Sequence, residues 1–166
     1  LVVVNQLLQG QGENAVQSSG RFIVNSTVGV FGLFDVAEKM GLEEKEEDYG
    51  QTLATWGVGD GFYIVLPLFG PSNLRDTTGM VLTMMTDPIN AYAVSEGEAW
   101  LVPMRTAANA VDQRSQIIDE VNALRDNSVD YYAAVRSSYY QNRNAAINNV
   151  DDSELTPLPL ISIEFE

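Results

Sequence analysis

Cysteine and histidine are both absent from the 166 residues. Without cysteine there is no thiol nucleophile, disulfide or thiolate metal site. Without histidine the usual general base near neutral pH and the commonest metal ligand are gone. Basic residues are scarce too: nine Lys and Arg stand against 23 Asp and Glu, a formal charge of −14. Such a chain repels phosphate backbones over long range, so no nucleic-acid partner held by charge is expected. No stretch of about 20 apolar residues occurs, which excludes a membrane-spanning helix. Little standard enzyme chemistry survives these absences, and no catalytic group, metal or cofactor is expected. What is present is a 45% apolar, 19% charged composition, enough for an ordered domain. The opening Leu1-Val2-Val3-Val4 has no initiator Met and reads as part of something longer, with any signal or lipid anchor upstream of residue 1.

Two uncharged stretches, 22–34 and 61–74, are too short to span a bilayer. At 1.5 Å per helical residue, one leaflet takes about 10 residues, so both suit either a buried core helix or a segment lying in one leaflet. The pattern is mostly α. Residues 1–8 end a helix at the Gln9-Gly10-Gln11-Gly12 stop signal, and 20–40 read as a helix bent near Gly29 and Gly32, with Gly41 at its C-terminus. That helix is apolar on every side except a strip of Asn25, Gly29 and Gly32, which serves either close backbone packing or a polar interior. The acidic 43–48 reads as a solvated loop or helix start and 49–56 as a short helix. Residues 62–66 form one short strand ended by Pro67, and Gly70-Pro71 forms a turn. A Met-rich helix covers 74–86 and stops before Asp87-Pro88, and a short helix and turn fall within 89–102. A helical region from 103 to 148 splits near 126–128. The chain thus divides into a helical domain, 1–148, and an acidic, proline-containing tail, 149–166.

Three blocks resemble a known family. The run from Gly20 through Arg21, Asn25, Gly29, Gly32 and Asp35 to Ala37 is the longest. Next come Glu47-Asp48-Tyr49-Gly50-Gln51-Thr52-Leu53, Trp56-Gly57-Val58-Gly59, Leu66-Pro67-Leu68, Gly70-Pro71-Ser72 and Leu74-Arg75-Asp76. The third block is Val111-Asp112 with Arg114, then Asp130, Val135-Arg136, Tyr139, Gln141 and Arg143. Together, over about residues 1–143, they are similar to the MlaA (VacJ) lipoproteins. Tyr131, Ser137 and Ser138 depart from the family's pattern, and its lipidated N-terminus and first helices are not in this sequence. The resemblance implies a helical, ring-like or curved assembly, embedded from one side in the inner leaflet of the outer membrane. It implies a non-enzymatic role: mislocalised phospholipid passes through an amphipathic channel to the periplasmic carrier MlaC, and a trimeric porin is the membrane partner. The alternative is a non-conducting helical scaffold docked on an outer-membrane barrel.

A phospholipid conduit needs apolar groups outside and polar ones within, because each polar group facing hydrocarbon costs several kcal/mol. The channel-lining candidates are Asn25, Gly29 and Gly32, with Tyr132, Arg136, Tyr139 and Arg143 on one face of the last helix. Arg136 and Arg143 can meet a phosphate or the tyrosine rings, but pairing with Asp130 or another acid is favoured. Gly57, Gly59, Gly61, Gly70 and Pro71 are hinge candidates or ordinary turn formers, and Arg75-Asp76 reads as a structural pair. A bulky apolar residue at Asn25 or Gly29 is expected to impair lipid movement without abolishing folding.

Overall fold

Polar punctuation divides the apolar sequence into short helices. A computed structural model of the chain describes residues 1–30 and 32–150, apart from the side chains of residues 116 and 120, so the acidic tail from 151 lies outside the described residues. The described chain is mainly helical: α1 (Val2–Leu8), α2 (Gly12–Thr27), α3 (Val36–Lys39), α4 (Tyr49–Thr55), α5 (Leu74–Thr86), α6 (Pro88–Ser95), α7 (Leu101–Gln116), α8 (Ile118–Asn127) and α9 (Tyr131–Ile147). Between α4 and α5 lie strands β1 (Tyr63–Leu66) and β2 (Gly70–Asn73), antiparallel with Tyr63 opposite Asn73 and Leu66 opposite Gly70. Among the described residues no helix is long and apolar enough to cross a membrane.

Aspartates start three of the helices. Asp35, Asp48 and Asp130 each accept a hydrogen bond from the backbone N–H three residues on, at 2.9–3.0 Å. The stops share one chemistry. After α1, α3, α4 and α6, Gly10, Gly41, Gly57 and Gly97 take a positive φ while paired backbone bonds satisfy the last carbonyls; Asn149 does the same after α9.

The contacts gather into two compact units. The first comprises 1–60 and 75–88, in which α1 packs on α2 and α4, and α2 on α3. There α4 and α5 meet backbone to backbone: a Cβ on Gly79 would lie 2.4 Å from the Gly50 nitrogen. The second comprises, among the described residues, 61–74 and 89–150, in which α9 packs on β2 and α8, and α7 on α8.

Burial is inverted relative to an ordinary globular domain. The largest fully buried side chains among the described residues are Gln6, Asn5, Asn73 and Thr52, and the buried apolar residues are all alanines. Large apolar side chains face outward instead, with Phe22 73%, Leu33 77%, Phe62 79% and Met85 74% exposed.

Several elements differ from expectation. Residues 20–40 are not one bent helix. α2 starts earlier, at Gly12, and ends at Thr27; the chain turns through Val30 and Gly32 at positive φ before α3 begins. β-branched residues and two glycines weaken helix there, and Asp35 supplies a fresh cap. Asn25, Gly29 and Gly32 therefore form no stripe on a helix. Gly70-Pro71 begins a strand that runs to Asn73 rather than forming a turn, because β1 offers it a ladder to pair with. The 103–148 region carries a further break at Ile117, where α7 passes to α8.

Candidate functional site

Arg21 organises the first unit. It stands on α2 with its guanidinium buried, donating Nη1 to the Leu42 carbonyl and Nη2 to Asp35 at 2.7 Å and Glu44 at 3.2 Å. Asn25, one turn on, donates Nδ2 to Asp35 at 3.0 Å, and its Oδ1 accepts from the N–H groups of Val36 and Ala37 at 3.0 and 2.9 Å. The Glu38 N–H, the Asn25 amide and Arg21 together hold the Asp35 carboxyl below the ordinary aspartate range, against a smaller upward push from burial. Arg21, Asn25 and Asp35 line a cleft of about 420 Å³ together with Ser18, Gly32, Glu44 and Lys45. Leu1, Val2, Val3 and Phe22 are its apolar lining.

The structure thus brings Asn25 and Gly32 to one cleft and leaves Gly29 out of its lining. Gly29 is buried in the turn, where an added Cβ would lie 2.3 Å from the Phe34 carbonyl oxygen and 2.5 Å from that of Asn25. Both positions thus also serve the local fold, Gly29 by permitting the turn and Asn25 by accepting from the first N–H groups of α3, so substitution there acts on stability as well. The Arg21–Asp35 pair escaped the sequence reading, although one signal was present: a cation opening an uncharged run that the next acid closes.

A second polar group is buried beside α4. Gln9 donates Nε2 to Glu47 at 2.7 Å and to Thr52 at 3.1 Å, and the Thr52 hydroxyl donates to Asn5 at 2.8 Å. Gln6 is fully buried with no hydrogen-bond partner for either side-chain atom among the described residues, an arrangement that water normally relieves. The acidic 43–48 segment is accordingly more than a solvated loop: Glu44 pairs with Arg21, Glu47 is buried, and Asp48 caps α4.

In the second unit the tyrosines cluster. Tyr63 on β1 meets Tyr132 edge-on at 5.7 Å, with Tyr139 and Tyr140 at 5.9 and 6.0 Å. The exposed Arg136 guanidinium lies 5.5 Å from the Tyr63 ring and 5.9 Å from that of Tyr140. Arg136 therefore stacks on rings and is not paired with Asp130, whose carboxylate caps α9 instead. Arg143 is half-buried on the same helix. Burial, then the neighbouring Tyr132, pushes the Tyr63 phenol above the ordinary tyrosine value, while Arg136 pulls it the other way. Separately, α6 and α7 enclose an apolar pocket of about 340 Å³ lined by Ile89, Ala93, Leu101, Val102, Met104 and Ala108, with Asn90 and Arg105 hydrogen-bonded at 3.1 Å beside them.

The remaining glycines have assigned places. Gly57 closes α4, Gly61 and Gly70 take positive φ near the two strands, and Gly59 has open space where a Cβ would stand. Pro71 sits in β2 opposite Val65. Arg75, buried, pairs with Asp60 and with Asp76, the structural role read from the sequence.

The chain matches the model of a family described as MlaA lipoprotein over residues 1–146. It is 36% identical over 148 residues to an uncharacterised protein of Rickettsia prowazekii, covering 89% of this chain and 57% of the relative. It is 32% identical over 160 residues to the intermembrane phospholipid transport system lipoprotein MlaA of Escherichia coli K12, covering 94% of this chain and 60% of that protein. The Haemophilus influenzae lipoprotein of the same name is 30% identical over 161 residues, covering 93% of this chain and 62% of that protein. The chain therefore spans less than two thirds of each of these relatives. Among solved structures, one described as the structural basis for maintenance of bacterial outer membrane lipid asymmetry superposes with a TM-score of 0.71 at 31% identity, covering 89% of this chain and 72% of that one.

Proposed function

The chain belongs to the MlaA lipoprotein family, and on that premise we propose that it conducts phospholipid at the outer membrane and serves no catalytic step. The observation that carries this reading is the inverted burial: Asn5, Gln6, Thr52 and Asn73 are inside while Phe22, Leu33, Phe62 and Met85 are outside. In water that distribution is unfavourable, because each large apolar side chain left exposed forgoes about 1.5–3 kcal/mol. Among acyl chains it is favourable, since the hydrocarbon receives the apolar skin and the polar groups avoid it.

In this reading the short helices lie in the inner leaflet as part of a ring-like assembly, held by a lipid anchor on the complete protein. Mislocalised phospholipid moves through an amphipathic passage to the carrier MlaC, and a trimeric porin fixes the protein in the membrane. The cleft lined by Asn25 and Gly32 and the face bearing Tyr132, Arg136, Tyr139 and Arg143 supply polar contacts along the path. The apolar pocket of α6 and α7 accommodates acyl segments. Gly57, Gly59, Gly61, Gly70 and Pro71 give the backbone around the strands its freedom to flex. A scaffold that conducts nothing shares the apolar skin but has no need of a buried amide cluster, so the interior favours conduction.

Transfer of labelled phospholipid from proteoliposomes holding the full-length protein and its porin to soluble MlaC tests the reading. Transfer above that of porin alone is expected; transfer equal to porin alone overturns it.

A further inference from the structure

The cleft beside Arg21 has a charge pattern that the conduit reading does not require. Four residues with charged side chains line it: Arg21 and Lys45 on one side of the balance, Asp35 and Glu44 on the other. In a chain of formal charge −14, this one cleft is neutral and bipolar.

The four groups are not equally committed. Arg21 already donates to Leu42, Asp35 and Glu44, and Asp35 accepts from Asn25, Arg21 and the Glu38 N–H. Glu44 keeps capacity: its side chain is 70% exposed, and its contact with Arg21 is 3.2 Å. Lys45 is half-buried, lines the cleft, and makes no ion pair among the described residues. Glu44 and Lys45, adjacent in sequence, thus both line a cavity of about 420 Å³, a volume within the usual range for small-molecule sites. Leu1, Val2, Val3 and Phe22 line the same cleft as its apolar wall.

We propose that this cleft is a headgroup site for a zwitterionic phospholipid carrying a primary ammonium, with the phosphodiester on Lys45, the ammonium on Glu44, and the glycerol end against the apolar wall. The site rests on the conduit reading and adds a substrate class to it. A phosphodiester beside a lysine makes a charge-assisted hydrogen bond, and an ammonium beside a carboxylate makes a second. A headgroup of net negative charge gains the first and not the second. Phosphatidylethanolamine is therefore selected over phosphatidylglycerol.

The test uses full-length protein in detergent micelles doped with equal phosphatidylethanolamine and phosphatidylglycerol, with bound lipid read by native mass spectrometry. Wild type is expected to retain phosphatidylethanolamine in excess. Lys45→Glu lowers its bound fraction about tenfold and Lys45→Arg restores it, as loss of one charge-assisted contact requires. Glu44→Gln leaves lipid bound but erases the discrimination between headgroups. Unchanged lipid composition in both Lys45→Glu and Glu44→Gln overturns the site while leaving the conduit standing. Absence of any phospholipid from wild type overturns the conduit and the site together. Soluble glycerophosphoethanolamine is added as a competitor, and displacement of lipid at equal concentration would assign the site to the free diester instead. Residues 44 and 45 lie in a loop outside any helix, and matched unfolding midpoints confirm that the variants are folded.

Discussion

Arg21, Asn25 and Asp35 show how much a few polar residues do in a chain so rich in outward-facing apolar ones. Asn25 satisfies two backbone N–H groups at the start of α3. Replacing it with Leu strands both, and stability should fall by about 2–3 kcal/mol in denaturant unfolding of the detergent-solubilised protein. Asp35 ionises below the ordinary aspartate value in the fold. Its contribution is therefore complete above pH of about 4 and is lost as the pH falls through the lowered value. Unfolding midpoints of wild type and Asp35→Asn should differ at neutral pH and converge toward acid; a constant gap would contradict the assignment. At this scale the sequence was half legible. Asn25 stood out as polar within an apolar run, but its task was misread, because the helix thought to present it ends at Thr27. Gln6, Gln9 and Thr52 gave no signal, since only the packing of α1 and α4 makes them neighbours.

Elements with polar punctuation were readable and those without it were not. α5 falls where expected, over 74–86, because Asp87-Pro88 forbids its continuation. The break between α2 and α3 lies inside an uncharged stretch where no cap marks the spot until Asp35. β2 was missed because Gly-Pro-Ser-Asn is turn chemistry; it becomes a strand through β1 on one side and packing with α9. The glycines separate tight helix contacts from free positions. Gly79→Ala drives a Cβ to within 2.4 Å of the Gly50 backbone and should destabilise by about 1–3 kcal/mol. Gly59→Ala, with open space and no positive φ, should leave stability unchanged or raise it by about 0.4–1 kcal/mol. Parallel thermal melts of the two variants check both. An equally small effect at Gly79 would contradict the backbone-to-backbone contact of α4 and α5.

For the molecule as a whole, the mainly helical fold class was legible because periodicity is a property of sequence, whereas the charge-free runs left open whether they face a core or a leaflet. The polar interior was not legible, since it depends on which helix faces meet. The family pattern adds what composition cannot supply, a lipid context in which this burial is favourable. The most direct test is depth-resolved quenching. The 166 residues hold no cysteine, so Leu33→Cys, Met85→Cys and Glu46→Cys each give one labelling position within them. Fluorophores there, on protein reconstituted in vesicles, are exposed to acyl-chain nitroxide lipids and to aqueous iodide. The account predicts strong nitroxide and weak iodide quenching at 33 and 85, with the reverse at 46. Iodide quenching at 33 and 85 equal to that at 46 would contradict it.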